Sequence, residues 1–133
     1  MTWQWNTTDE IQKYSRLFKD FAPSLLNHMK NEYITFHYHT FGVSMDDYEQ
    51  VEPLNSLFRL ISTDVAEDGR EYITGLEARD HSIYATMYHP EYQLMDFLSE
   101  KTFNIVRNQE TIDIFESFGD FIYKEALRNR AYN

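Results

Sequence analysis

The sequence predicts an α/β fold, a β-meander or mixed sheet flanked by helices. Two β-rich runs, Leu57 to Val65 and Glu71 to Ala78, flank a turn containing Asp68-Gly69, a dipeptide suited to the positive φ of tight hairpins. Helical periodicity stands on both sides of that hairpin, near the N-terminus and over the last long segment. A βαβ repeat opened by a Gly-rich turn is missing, so the chain reads as the later part of a layered α/β architecture.

The elements follow in order. Thr7 with Glu10 forms a capping-box pattern, and Ile11, Tyr14, Phe18 and Phe21 recur at helical spacing, which predicts a first helix from about Thr8 to Phe21. Pro23 suits the first turn of a second helix with Leu25, Leu26 and Met29 buried, fading near Lys30. From Tyr33 to His39, Ile34, Phe36 and Tyr38 alternate with Thr35, His37 and His39, a strand pattern. After the hairpin a further run, His81 to Tyr88, puts Ile83, Ala85, Met87 and His89 on one face before Pro90 ends the ladder. Asn108 is the candidate cap of an amphipathic helix carrying Ile114, Phe115, Phe118, Phe121, Ile122 and Leu127. Glu110 and Asp113 near its start and Lys124, Arg128 and Arg130 near its end match the helix dipole.

A length of 133 residues, 42% hydrophobic with ten Phe and ten Tyr, suits one domain over residues 1–133 with enough apolar material for a core. Twelve basic against twenty-two acidic residues give a net charge of −10, which repels phosphate backbones and anionic lipid and argues against nucleic acid as a partner. No apolar run approaches the roughly 18 residues of a membrane span. Met1 to Trp5 has neither the basic nor the apolar region of a leader, so the chain as given reads as soluble and untargeted. With no cysteine, the chain has no disulfide, no thiolate ligand and no thiol nucleophile.

The chemistry concentrates in His89-Pro90-Glu91. A strand-terminal His with a carboxylate two positions on, joined through a stiff Pro, can supply a general base and the group that orients it. Alone, the tripeptide is a weak signal. Its surroundings strengthen it. Tyr84-Ala85-Thr86-Met87-Tyr88-His89-Pro90-Glu91 resembles the strand-plus-triad segment of class I glutamine amidotransferase-like enzymes, and Tyr38-His39-Thr40-Phe41-Gly42-Val43-Ser44 resembles the His-x-Phe-Gly-Ile/Val-Ser segment of gamma-glutamyl hydrolases. The resemblance extends from Ser15-Arg16-Leu17-Phe18-Lys19-Asp20-Phe21, like the family's helix before that strand, through the hairpin, to Phe121–Asn129 with its Ala-x-x-Asn ending. The chain thus looks like the C-terminal half of a gamma-glutamyl hydrolase.

What the resemblance implies is specific. His89 would be the base and Glu91 the orienting carboxylate of a Cys-His-Glu triad, and His39 would line the substrate cleft. The family cleaves gamma-linked glutamate from folylpoly-gamma-glutamates through an acyl-enzyme on Cys, without metal or organic cofactor. The nucleophile would come from a Cys-containing N-terminal half, and the family's compartment is lysosomal, vacuolar or secreted. Ala85 stands where the family usually has Gly, Tyr88 where it has Trp or Phe, and Tyr38 where Asn often precedes the cleft His. The segment from Tyr92 to Phe97 is apolar where a polar loop is expected, which suggests packing against a partner.

Two alternatives stand beside this reading. One is a catalytically dead family fragment kept as a structural or accessory subunit among other protein subunits. The other is a metal-binding domain using His37, His39 and His89, of which the first two have metal-ligand spacing on one strand face. His28 and His81 read as surface or turn residues, Trp3 and Trp5 as packing groups, and Asn6-Thr7-Thr8 as a chance glycosylation sequon.

Overall fold

In the computed structural model, which describes residues 2–3, 8–94 and 105–130, a meander forms the centre of the molecule. The elements run β1 (Thr2–Trp3), α1 (Thr8–Tyr14), α2 (Pro23–Asn31), α3 (Met45–Gln50), α4 (Glu52–Leu57), β2 (Phe58–Val65), β3 (Glu71–Ala78), β4 (Tyr84–Thr86), a 3-10 turn (Pro90–Gln93) and α5 (Gln109–Arg130). The sheet has the order β1-β2-β3-β4 with antiparallel neighbours throughout, and the fold is mixed α/β as the sequence predicts.

The hairpin closes as its turn chemistry requires. Gly69 takes φ 79°, the Ala66 amide donates to the Arg70 carbonyl, and the register runs from Val65 opposite Glu71 to Phe58 opposite Ala78. The register shifts around Ser62, where Gly75 approaches so closely that a Cβ there would lie 2.6 Å from the Ser62 hydroxyl oxygen. Thr74 donates to the same oxygen at 2.9 Å, so this buried irregularity keeps its polar atoms paired.

Both faces of the sheet are covered. On one, Ile61 meets Ile11, Leu26, Met29, Ile34, Ile114 and Phe115 from the helices and loops. Phe18, Phe21 and Phe118 meet there edge to face, with centroids 5.2 to 5.9 Å apart. On the other, Leu60, Ile73 and Leu76 pack with Tyr48 beneath α3 and α4. Ser44 caps α3 in a reciprocal box with Asp47, whose carboxyl is held below its usual range by the two hydrogen bonds from Ser44.

Several sequence expectations change. The first helix does not reach Phe21; it ends at Tyr14 because the next amides turn toward Glu77, 61 positions beyond Arg16. The Glu77 carboxylate is fully buried. It accepts from Ser15 Oγ at 2.9 Å, the Arg16 amide at 2.9 Å, Arg16 Nε at 3.2 Å and the Leu17 amide at 3.2 Å. Arg16 also donates to the Ala78 and His81 carbonyls, both at 2.6 Å. A charge out of water is tolerated only with such partners, and their formation takes precedence over two more turns of helix.

The segment Tyr33 to His39 is extended but forms no strand, being tied to its neighbours chiefly by the His89 amide donating to Phe36 O at 2.9 Å and Gln93 Nε2 donating to Ile34 O at 2.7 Å. The run from His81 shortens to Tyr84–Thr86, with Ile83 and Ala85 exposed and Tyr84 and Tyr88 turned inward. Asn108 caps α5 through the Thr111 amide at 2.8 Å, as predicted, whereas Ile122 and Leu127 face outward. His28 is half-buried, its Nε2 covered and without a hydrogen-bond partner among the described residues. Thr7 of the capping box, Asn6 of the sequon, Trp5 and residues 95–97 lie outside the described residues.

Candidate active site

Met87 and Tyr88 carry the chain off β4 into His89, where the extended backbone (φ −100°, ψ 92°) is followed by Pro90 at the first position of the 3-10 turn. Pro suits that position because it has no amide to leave unpaired and its φ is already set. The turn brings His89 Nδ1 to 2.8 Å from Glu91 Oε1, with both side chains partly open to solvent. A carboxylate can only accept, so Nδ1 carries the proton in this contact, and in the neutral ring the lone pair then lies on Nε2. This is the geometry of a base with its orienting group, and the two residues singled out from the sequence are in direct contact.

His39 takes part in a different arrangement. Its Nε2 lies 3.1 Å from His37 Nδ1, and both rings line an open cavity of about 370 Å³ together with Phe41, Asp64, Tyr72 and Met87. The His89 and Glu91 side chains are not part of that wall. The pKa of His37 is lowered, first by the partial loss of its hydration and then by the charge of neighbouring His39, against the opposing pull of Asp64. Among the described residues no group of three or more His, Cys, Asp or Glu could hold a metal ion. His37 and His39 meet each other and His89 meets Glu91, so the three-histidine arrangement considered from the sequence is not assembled.

Sequence reasoning missed the packing around His89. Phe36 and Tyr92 lie 5.0 Å apart by centroid, Tyr92 stands 5.1 Å from the imidazole at 69°, and Phe36 stands 6.4 Å from it. Tyr92, the first residue of the apolar segment Tyr92 to Phe97, is partly buried against these rings. The one sequence signal was the aromatic at that loop position. Tyr88 is fully buried on the other side of the strand end, its hydroxyl without a partner among the described residues, and burial pushes its pKa upward.

An antiparallel meander that delivers His-Pro-Glu at a strand end, with helices on both faces, is part of a class I glutamine amidotransferase-like fold. Comparison with known proteins makes the relationship particular. The chain is 32% identical to gamma-glutamyl hydrolase B of Dictyostelium discoideum over 77 residues, 58% of this chain and 22% of that protein. It is 27% identical to the gamma-glutamyl hydrolase of Rattus norvegicus over 118 residues, 88% of this chain and 36% of the relative, and 30% identical to that of Homo sapiens over 81 residues, 60% and 25% respectively. No protein-family model matches. The chain is a relative of the gamma-glutamyl hydrolases and corresponds to a C-terminal portion of that family. It spans between about a fifth and two fifths of the length of the relatives it matches.

Proposed function

We propose that this chain supplies the base and orienting carboxylate, His89 and Glu91, of a gamma-glutamyl hydrolase whose nucleophilic cysteine lies outside these 133 residues. The observation that carries the reading is the 2.8 Å contact between His89 Nδ1 and Glu91 Oε1, which engages one ring nitrogen with the carboxylate and leaves the proposed work of the base to Nε2. In that role Nε2 takes the thiol proton. The thiolate attacks the gamma-carbonyl carbon, a C–S bond forms, and the amide C–N bond breaks as the imidazolium returns the proton to the leaving amine. The terminal glutamate departs as that amine, and water, activated by the same nitrogen, then hydrolyses the thioester and releases the shortened conjugate with a free gamma-carboxylate. By family resemblance the substrates are folylpoly-gamma-glutamates, with His39 on the cleft wall.

The absence of cysteine supports a second reading, a family member kept as a structural or accessory subunit. Purification of the native protein, identification of every co-purifying polypeptide and a gamma-glutamyl hydrolysis assay separate the two. Activity that follows a cysteine-bearing polypeptide and drops about 10²- to 10⁴-fold in His89→Ala supports the hydrolase. Stable attachment to unrelated subunits with no hydrolysis establishes the accessory role instead.

A further inference from the structure

The His89–Glu91 contact alone is a weak restraint on the imidazole. Both side chains are partly exposed, and ion pairs or hydrogen bonds of this kind compete with water and with the freedom of the side chains. A base that must present Nε2 in one direction needs a second restraint on its ring. The aromatic contacts around it provide one.

We propose that Tyr92 is a positioning residue for His89, its ring fixing the rotamer in which Nδ1 faces Glu91. The inference rests on the reading of His89 as general base. Tyr92 stands 5.1 Å from the imidazole at an interplanar angle of 69°, an edge-to-face arrangement, and is backed by Phe36 at 5.0 Å. Its own place is set at the main chain: its amide donates to His89 O at 3.4 Å and its carbonyl accepts from Arg107 Nη2 at 3.3 Å. The turn is anchored to the extended segment at both ends, by the His89 amide on Phe36 O and by the buried Gln93 amide group on Ile34 O at 2.7 Å. Rotation of the imidazole away from Glu91 would give up the packed edge of Tyr92, so ring and carboxylate select the same orientation. The contact with His89 is between rings.

The test uses the full 133-residue chain, isotopically labelled, and reads the protonation pattern of the His89 imidazole nitrogens by NMR in Tyr92→Phe, Tyr92→Leu and Glu91→Gln beside the parent. The parent and Tyr92→Phe are expected to hold the neutral ring with its proton on Nδ1. Tyr92→Leu, which keeps apolar bulk at the turn, should lower the ratio of that form to its alternative by about two- to tenfold, the range an edge-to-face ring pair supplies. Urea unfolding midpoints check that each variant keeps the fold. An unchanged ratio in Tyr92→Leu, or an equal loss in Tyr92→Phe, overturns the proposal. The readout needs no hydrolysis, so an inactive assembly defeats the general-base reading without altering this result, and an active assembly with an unchanged ratio defeats the positioning role alone.

Discussion

The β2–β3 hairpin and the His89 turn are built on different terms. The hairpin has a ladder of paired backbone groups, apolar clusters on both faces and a buried carboxylate, Glu77, surrounded by donors from the segment after α1. The turn rests on the edge of the structure, tied by the His89 amide, the Gln93 side chain and a contact between aromatic rings, with its charged pair open to solvent. Stability therefore resides in the meander. The Glu77 carboxylate is structural because it has lost water and gained donors, whereas the Glu91 carboxylate stays partly in water beside His89, as the proposed role of orienting a base requires.

The sharpest way to break this contrast is to exchange the two carboxylates for alanine. Glu77→Ala leaves Ser15 Oγ, the Arg16 and Leu17 amides and the Arg16 guanidinium without their acceptor, and should cost about 3–5 kcal/mol in urea unfolding. Glu91→Ala, from a partly exposed pair, should shift the same curve by no more than about 1 kcal/mol. Comparable losses from both would show that the turn carries stability as well.

A smaller effect sharpens the boundary between the regions. Tyr88 sits between the core and His89 with a buried hydroxyl that finds no partner among the described residues, so Tyr88→Phe removes a desolvated polar atom and keeps the ring. The variant should be neutral or stabilised by about 1 kcal/mol. Marked destabilisation on thermal unfolding would mean that the hydroxyl has a partner in solution.

The mildest effect is on pH dependence at the cavity wall. The pKa of His37 is lowered in the folded protein, so between that value and 6.5 the unfolded chain binds more protons than the folded one. Its contribution to stability is complete above 6.5 and is lost as pH falls through the folded pKa. His37→Asn should flatten this part of the stability curve relative to the parent. An unchanged slope would place the proton uptake on another group.

Much of the architecture was legible because its causes are local. Asp68-Gly69 specifies the hairpin through the conformational freedom of one glycine, Asn108 specifies the start of α5 through a cap three residues long, and Pro23 opens α2 through its fixed φ. The contact between His89 and Glu91 belongs to the same kind, since the turn that joins them lies within three residues. Where prediction and structure part, the deciding partner is distant in the chain.

Helical periodicity from Ile11 to Phe21 could not reveal that Glu77 would draw the amides of Arg16 and Leu17 out of the helix. The alternation from Tyr33 to His39 could not show that no ladder would form there, and Ile122 and Leu127 fit an amphipathic pattern yet are exposed among the described residues. The sequence alone determined the hairpin, the cap of α5 and the contact of His89 with Glu91, because turns and first-turn hydrogen bonds act over a few residues. Only the tertiary structure decided where α1 ends, that His37 turns to His39 rather than to a three-histidine site, and that Phe36 and Tyr92 close on His89. Each of these depends on groups brought together across the chain, where burial and pairing outweigh local propensity.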